Sequence, residues 1–207
     1  MALRVKKVAS VVVDLETMGK WDDAILLTVG LTIIKDGVSY GDLTTDQIYT
    51  KLLAENSVEF KLSVKSQVDL GRKMEQNVFD WWKEQGDDAK RILKPLPDDI
   101  PCTEIFDVID RWLRSHGLEW STVRFFDRNA FDMKKLQHMY EVTLNQGKYP
   151  PWDYQEVWEV ATLLNFMSGS RYGFMPPKEF EHPEFIYHSA KCDAALDALR
   201  IVKLFNS

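Results

Sequence analysis

The chain has 207 residues, 45% hydrophobic, 12% aromatic and 28% charged, which suffices for one compact domain spanning 1–207 that buries roughly 70% of its unfolded surface and is too apolar for disorder. A formal net charge of −6 runs against phosphate binding by Lys and Arg alone, but two bound divalent cations would add four positive charges at the point where a phosphodiester must sit, so charge excludes no partner. Cys102 and Cys192 lie outside any metal-ligand spacing and fit a reduced, cytoplasmic setting; no signal peptide precedes Asp14, and the longest mostly apolar run, Ala24 to Ile34, is too short for a bilayer, which needs about twenty residues.

Val8 to Val13 is a β-branched run ended by Asp14, the pattern of a strand buried on both faces. Ala24 to Ile34 is a second strand, closed by the turn Lys35-Asp36-Gly37, and Ile48 to Leu53 a weaker third. From Asn77 to Leu93 the pattern turns helical, with Phe79, Trp81 and Trp82 and a break near Gly86; adjacent on a helix, the two Trp cannot both face a core. A helix over Thr103 to His116, capped by Thr103 and stopped by Gly117, precedes a strand over Thr122 to Phe126 and a helix over Asn129 to Tyr140. A further helix is expected over Gln155 to Phe166, an ordered surface loop over Met167 to Tyr187, and a last helix over Ser189 to Phe205. Strands first and helices later favour an α/β fold, with helices around one mixed sheet.

The first chemical signal is Asp14-Leu15-Glu16 at the end of the first strand. Residues two apart on a strand share a face, so Asp14 and Glu16 converge. In open α/β sheets such strand ends are where ligands bind. Two close carboxylates repel, and a hard oxygen-seeking cation such as Mg²⁺ or Mn²⁺ resolves the conflict. The second signal is Phe131-Asp132 after the strand ending at Phe126, with Asp132 in a first helical turn where the helix dipole favours an acid; Asp127 is a second acid nearby. The third is His188-Ser189-Ala190-Lys191-Cys192-Asp193. Positions five apart on a helix diverge by about 140°, so His188 must precede the helix, with Ser189 available as its cap.

At these three segments the chain resembles the DEDDh (DnaQ-like) 3′-5′ exonuclease superfamily, and within it the phage exonuclease DexA group and bacterial exoribonuclease relatives. Gly71-Arg72-Lys73 followed by Trp81-Trp82 is also similar to that group. The resemblance spans residues 8 to 205 and implies an RNase H-like fold. It implies two divalent cations held by Asp14, Glu16, Asp132 and Asp193, with His188 as general base, and a single-stranded DNA or RNA substrate with a free 3′ end that is shortened to 5′-mononucleotides. By the same resemblance Thr17 and Met18 contact the terminal nucleotide; Phe131 is either a stacking partner for its base, since base–aromatic contacts tolerate any base, or a core anchor of its helix. Arg72, Lys73, Lys134 and Lys135 are candidate phosphate neighbours. It points to a bacterial or phage-infected cell, and similar enzymes are often homodimers, although no heptad or unpaired apolar stripe argues for an interface. One departure stands out: Glu159-Val160-Ala161-Thr162 replaces an Asp-x-Arg-Thr-like pattern.

Two other readings compete. A haloacid-dehalogenase phosphohydrolase also puts an acid at a strand end, but wants Asp-x-Asp and leaves His188 idle. A non-catalytic module binding nucleic acid or protein on the same scaffold would usually have lost a metal acid, and here none is missing.

Overall fold

A computed structural model describes residues 6–144, 149–173, 175 and 180–205. Its centre is the strand β1 (Ala9–Thr17), which pairs antiparallel with β2 (Leu26–Lys35) and parallel with β4 (Val123–Asp127). Beyond β2 lies β3 (Ser57–Lys61), antiparallel; beyond β4 lies β5 (Val157–Glu159), parallel. The order β3-β2-β1-β4-β5 makes a mixed five-stranded sheet with helices on both faces. β1 is apolar from Val11 to Val13 because both of its faces are covered there.

The helices are α1 (Thr45–Glu55), α2 (Val64–Val68), α3 (Gln76–Lys83), α4 (Asp87–Lys90), α5 (Ile105–Ser115), α6 (Asp132–Leu144), α7 (Val160–Ser168) and α8 (Ala190–Phe205). On one face Val11, Val13 and Leu15 meet Ile105, Ile109 and Leu113 of α5 and Leu136 and Met139 of α6. On the other, Val12 and Phe126 meet α1, α7 and α8. Side chains alternate along a strand, so Asp14 and Glu16 lie on the side of Val12, facing α8.

Four elements differ from the sequence-based expectation. Ile48 to Leu53 is not a strand but part of α1, in which Ile48, Tyr49, Leu52 and Leu53 form one buried helical face. Thr44 and Gln47 close a capping box at its start, and the third strand is Ser57–Lys61. The helix expected over Asn77 to Leu93 ends at Lys83; Gly86 starts the short α4 and a 3-10 turn covers Arg91–Leu93. Over Gln155 to Phe166 only α7 is helical, because Val157–Glu159 extends the sheet. Helix α5 begins at Ile105 behind Glu104, so Thr103 does not cap it. Gly117 does end it: at φ +73° it takes the left-handed position while Gly117 N–H and Leu118 N–H close back on Arg114 and Leu113.

The seat of α8 decides where the site lies. A Cβ on Gly30 of β2 would come within 2.1 Å of the Ala190 carbonyl carbon, so only glycine lets the first turn of α8 touch the sheet. Ala190, Ala194, Ala195 and Ala198 continue that close approach. Glu59 of β3 accepts hydrogen bonds from Lys191 N–H (3.1 Å) and Ser189 Oγ–H (3.2 Å), and Ser189 Oγ accepts from Cys192 N–H (3.5 Å). The helix start is thus fixed by an acid at its positive end as well as by its own cap. No helix among the described residues is long and apolar enough to cross a membrane.

Candidate active site

The three sequence signals meet at the end of β1. Asp14, Glu16, Asp132, His188 and Asp193 line one open cleft of about 340 Å³. Glu16, His188 and Asp193 each bring a ligand atom within 4.8 Å of the others. The register of β1 on β2 slips between Glu16 and Thr17, a bulge at the point where the strand hands its acids to the cleft. His188 sits just outside α8 with φ +60°, so ring and Asp193 carboxyl reach the same site despite their five-residue spacing.

Asp132 is held from two sides. Its Oδ1 accepts the Leu15 N–H of β1 at 3.2 Å, which ties the first turn of α6 to the central strand. Asp127 lies beneath, and its Oδ2 accepts Asp132 N–H and Met133 N–H at 3.1 and 3.0 Å. Asp127 is therefore the cap of α6, while Asp132 faces the cleft. The turn between them places Asn129 and Ala130 at φ +61° and +51°. Glu159 stabilises it: its Oε1 accepts Asn129 N–H at 2.8 Å, and its carboxylate also caps α7 through Ala161 N–H and Thr162 N–H. The departure at Glu159 thus has a structural job.

Electrostatics set these acids apart. Asp14 is pushed well above the usual carboxylate range by burial, then by Asp132, Asp193 and Glu16. Glu16 rises through burial, then through Asp193 and Asp132. Asp132 rises through burial and then Asp127, and Asp193 is pushed up to about 7 by burial and Asp197. Every influence on Asp14 and Glu16 acts in one direction, against ionisation. A hard divalent cation relieves that repulsion, and a set of carboxylate oxygens suits it. Burial lowers the His188 pKa, so the imidazole stays a neutral acceptor at neutral pH.

A second cavity of about 450 Å³ adjoins the first, sharing Leu15, Glu16 and Phe131 and adding Thr17, Lys20 and Trp81. Trp82 is 1% exposed and donates its indole N–H to Thr17 O at 2.9 Å; Trp81 is 40% exposed and sets its ring edge-on to His188 at 4.8 Å. Phe131 lies between both cavities, with Lys135 Nζ 3.1 Å from its ring centroid. The Met18 side chain is not brought to the cleft: it is buried with Ile25, Leu27 and Trp82.

The expected phosphate neighbours fare unevenly. Arg72 is buried, bound to His138 Nδ1 at 2.8 Å and to the carbonyls of Asp22 and Ala24, and Lys135 donates to Lys20 O at 2.9 Å. Both brace the loop after β1 rather than facing solvent. Lys73 pairs with Asp23 at 2.6 Å, and Lys134 is exposed. Sequence reasoning missed Arg128, which lines the cleft, and the buried pair Asp197 and Arg200, readable from sequence only as a solvated helical stripe. A larger groove of about 820 Å³ at the far end of α8 contains none of the acids.

Among solved structures, cell-death related nuclease 4 (CRN-4) is similar, with a TM-score of 0.55 at 15% identity over 97% of this chain. The match takes in 66% of that nuclease, so the chain spans about two thirds of its length, and the likeness establishes a shared fold of the RNase H-like type. No curated protein sequence matches. A family model described as the 3′-5′ exoribonuclease Rv2179c-like domain matches residues 9–204, which takes in all three acid motifs, and the chain therefore belongs to the Rv2179c-like 3′-5′ exoribonuclease domain family.

Proposed function

We propose that the chain is a metal-dependent 3′-5′ exonuclease of the DEDDh type acting on single-stranded nucleic acid, RNA before DNA. The observation that carries this reading is the convergence of Glu16, His188 and Asp193 within 4.8 Å, in a cleft with Asp14 and Asp132. Family membership supports the direction of attack and the preference for RNA. The finer affinity with the DexA group rests on the Trp81-Trp82 segment and the sequence from His188 to Ala194.

Asp14, Glu16, Asp132 and Asp193 would hold two divalent cations, Mg²⁺ or Mn²⁺. When bound, these supply charge stabilisation to the attacking and leaving oxygens of an in-line displacement. His188 takes the proton of the attacking water, for which its neutral form and its place at the cleft mouth equip it. Its ring is held by the edge contact with Trp81. Phe131 and Trp81 offer aromatic faces to the terminal base, a contact worth about 1–3 kcal/mol whatever the base. Thr17, its hydroxyl bonded to Gly19 O at 2.7 Å, shapes the wall beside them. Hydrolysis releases a 5′-mononucleotide.

The test is digestion of matched 5′-labelled single-stranded RNA and DNA with Mg²⁺, Mn²⁺ or EDTA, beside Asp14→Ala. The expected result is a metal-dependent ladder shortening from the 3′ end, faster on RNA and absent in the variant. Intact strands under all conditions overturn the reading.

A further inference from the structure

The cleft that gathers the acids contains one permanent cation among its described residues, Arg128. It follows β4 directly and precedes the left-handed pair Asn129 and Ala130, so its backbone is pinned from the next residue onward. Its guanidinium is pinned as well. Nε and Nη2 donate to the two oxygens of Asp197, at 3.0 and 2.5 Å, and Nη1 donates to Arg171 O at 3.0 Å. The Tyr172 ring lies 5.1 Å from the guanidinium carbon. Three of five N–H donors are thereby used and two remain.

Asp197 does not neutralise this arginine. The same carboxylate accepts Arg200 Nη1 at 2.6 Å, and Arg200 is buried, its Nε bound to Met175 O at 3.0 Å. Two guanidinium groups share this one carboxylate, so Asp197 alone cannot balance both, and Arg128 is the member that reaches the cleft. Asp197 stands one helical turn beyond Asp193, so the arginine is fixed relative to the acids by the helix that carries one of them.

We propose that Arg128 is a substrate-binding residue that holds a non-bridging phosphate oxygen of the strand in the cleft, with Asp197 as its positioning residue. The inference rests on the nuclease reading above. Arginine suits the task because its planar fork can engage a carboxylate along one edge and a phosphate with its remaining donors, while a lysine would offer only a point charge. A mere tie between α8 and the turn after β4 would not require Arg128 to reach the cleft.

The experiment is fluorescence anisotropy of a 5′-labelled single-stranded RNA in Ca²⁺ across a salt series, for wild type, Arg128→Ala, Arg128→Lys and Asp197→Asn. Mn²⁺ affinity is measured by calorimetry on the same proteins. Arg128→Ala is expected to weaken binding about 10- to 100-fold, the range for a hydrogen bond to a charged group. It should also lower the slope of log affinity against log salt by about 0.7, one phosphate contact on a single strand. Arg128→Lys should keep the slope and recover part of the affinity, and Asp197→Asn should weaken binding with the slope retained. Mn²⁺ affinity should not fall in Arg128→Ala or Arg128→Lys, since neither removes a carboxylate from the cleft. Unchanged RNA affinity and slope in Arg128→Ala, or a parallel loss of Mn²⁺ affinity, overturns the proposal. The nuclease reading fails separately, by absence of metal-dependent shortening in wild type, because binding is read without turnover.

Discussion

At the scale of single residues, Asp127 and Asp132 stand five positions apart with different work: Asp127 Oδ2 accepts the first N–H groups of α6, and Asp132 Oδ1 accepts Leu15 N–H of β1. That Asp14, Glu16, Asp132, His188 and Asp193 line one cleft was legible from three short motifs, because two of them place acids at strand and helix ends that a folded sheet brings together. Asp127 could not be sorted from Asp132 by composition, because both an N-cap and a first-turn acid are favoured at a helix start. Only the hydrogen bonds to Asp132 N–H and Met133 N–H separate them. Met18 read as a substrate contact because it follows the acids, yet its side chain turns to Trp82. Two predictions belong here. Burial lowers the His188 pKa, so the proton that silences the base binds only at lower pH, and the acid limb of kcat/KM should fall below pH about 6.5. His188→Gln should slow turnover about 10²- to 10⁴-fold, the usual span for a general base, and at saturating metal, where proton competition at the acids is overcome, should flatten that limb in a pH–rate series. Asp127→Asn keeps an acceptor oxygen and should retain most activity, whereas Asp132→Asn should lose it; the ladder assay run on both variants decides.

At the scale of elements, periodicity succeeded where it was long and failed where it was short. The apolar run of β1 and the alanine-rich face of α8 each had one interpretation. Ile48 to Leu53 did not: an apolar doublet, two spacers and another doublet fit a buried strand as readily as a helix, and the capping pair Thr44 and Gln47 lies upstream of that run. β5, three residues long, cannot outweigh the helical pattern that follows it. Gly30 carried no sign of its importance, because a glycine inside a strand shows its reason only when the partner backbone is present. Gly30→Ala should push back the first turn of α8. A loss of about 1–3 kcal/mol in urea unfolding is expected, as for other overpacked sites, with exonuclease activity falling further than stability. Thr44→Ala is the matched control: deleting that cap should cost about 1 kcal/mol and leave the ladder unchanged.

At the scale of the whole molecule, the buried acids give the metal-free protein an unusual response to pH. Asp14, Glu16, Asp132 and Asp193 all have folded-state pKa values above their ordinary ones. The native state therefore holds protons that the unfolded chain releases. This contribution is fully present below pH about 4, where free carboxyl groups protonate, and is lost as pH rises through about 7 for Asp193. In EDTA the melting temperature should be higher at pH 6 than at pH 8. Mn²⁺ should raise it more at pH 8 than at pH 6, where protons compete for the same oxygens; an equal shift at both would deny that these acids bind the ion.

The acids reach the cleft from the central strand, from the helix after β4 and from the last helix. No contiguous segment carries all four, and Asp193 arrives with α8, whose seat on Gly30 and Glu59 joins it to β2 and β3. A molecule with α8 undocked has a cleft without Asp193, however much of its sheet has formed. Closure of the cleft therefore reports completion of the fold, because the acids stand together only once that helix has settled on the sheet.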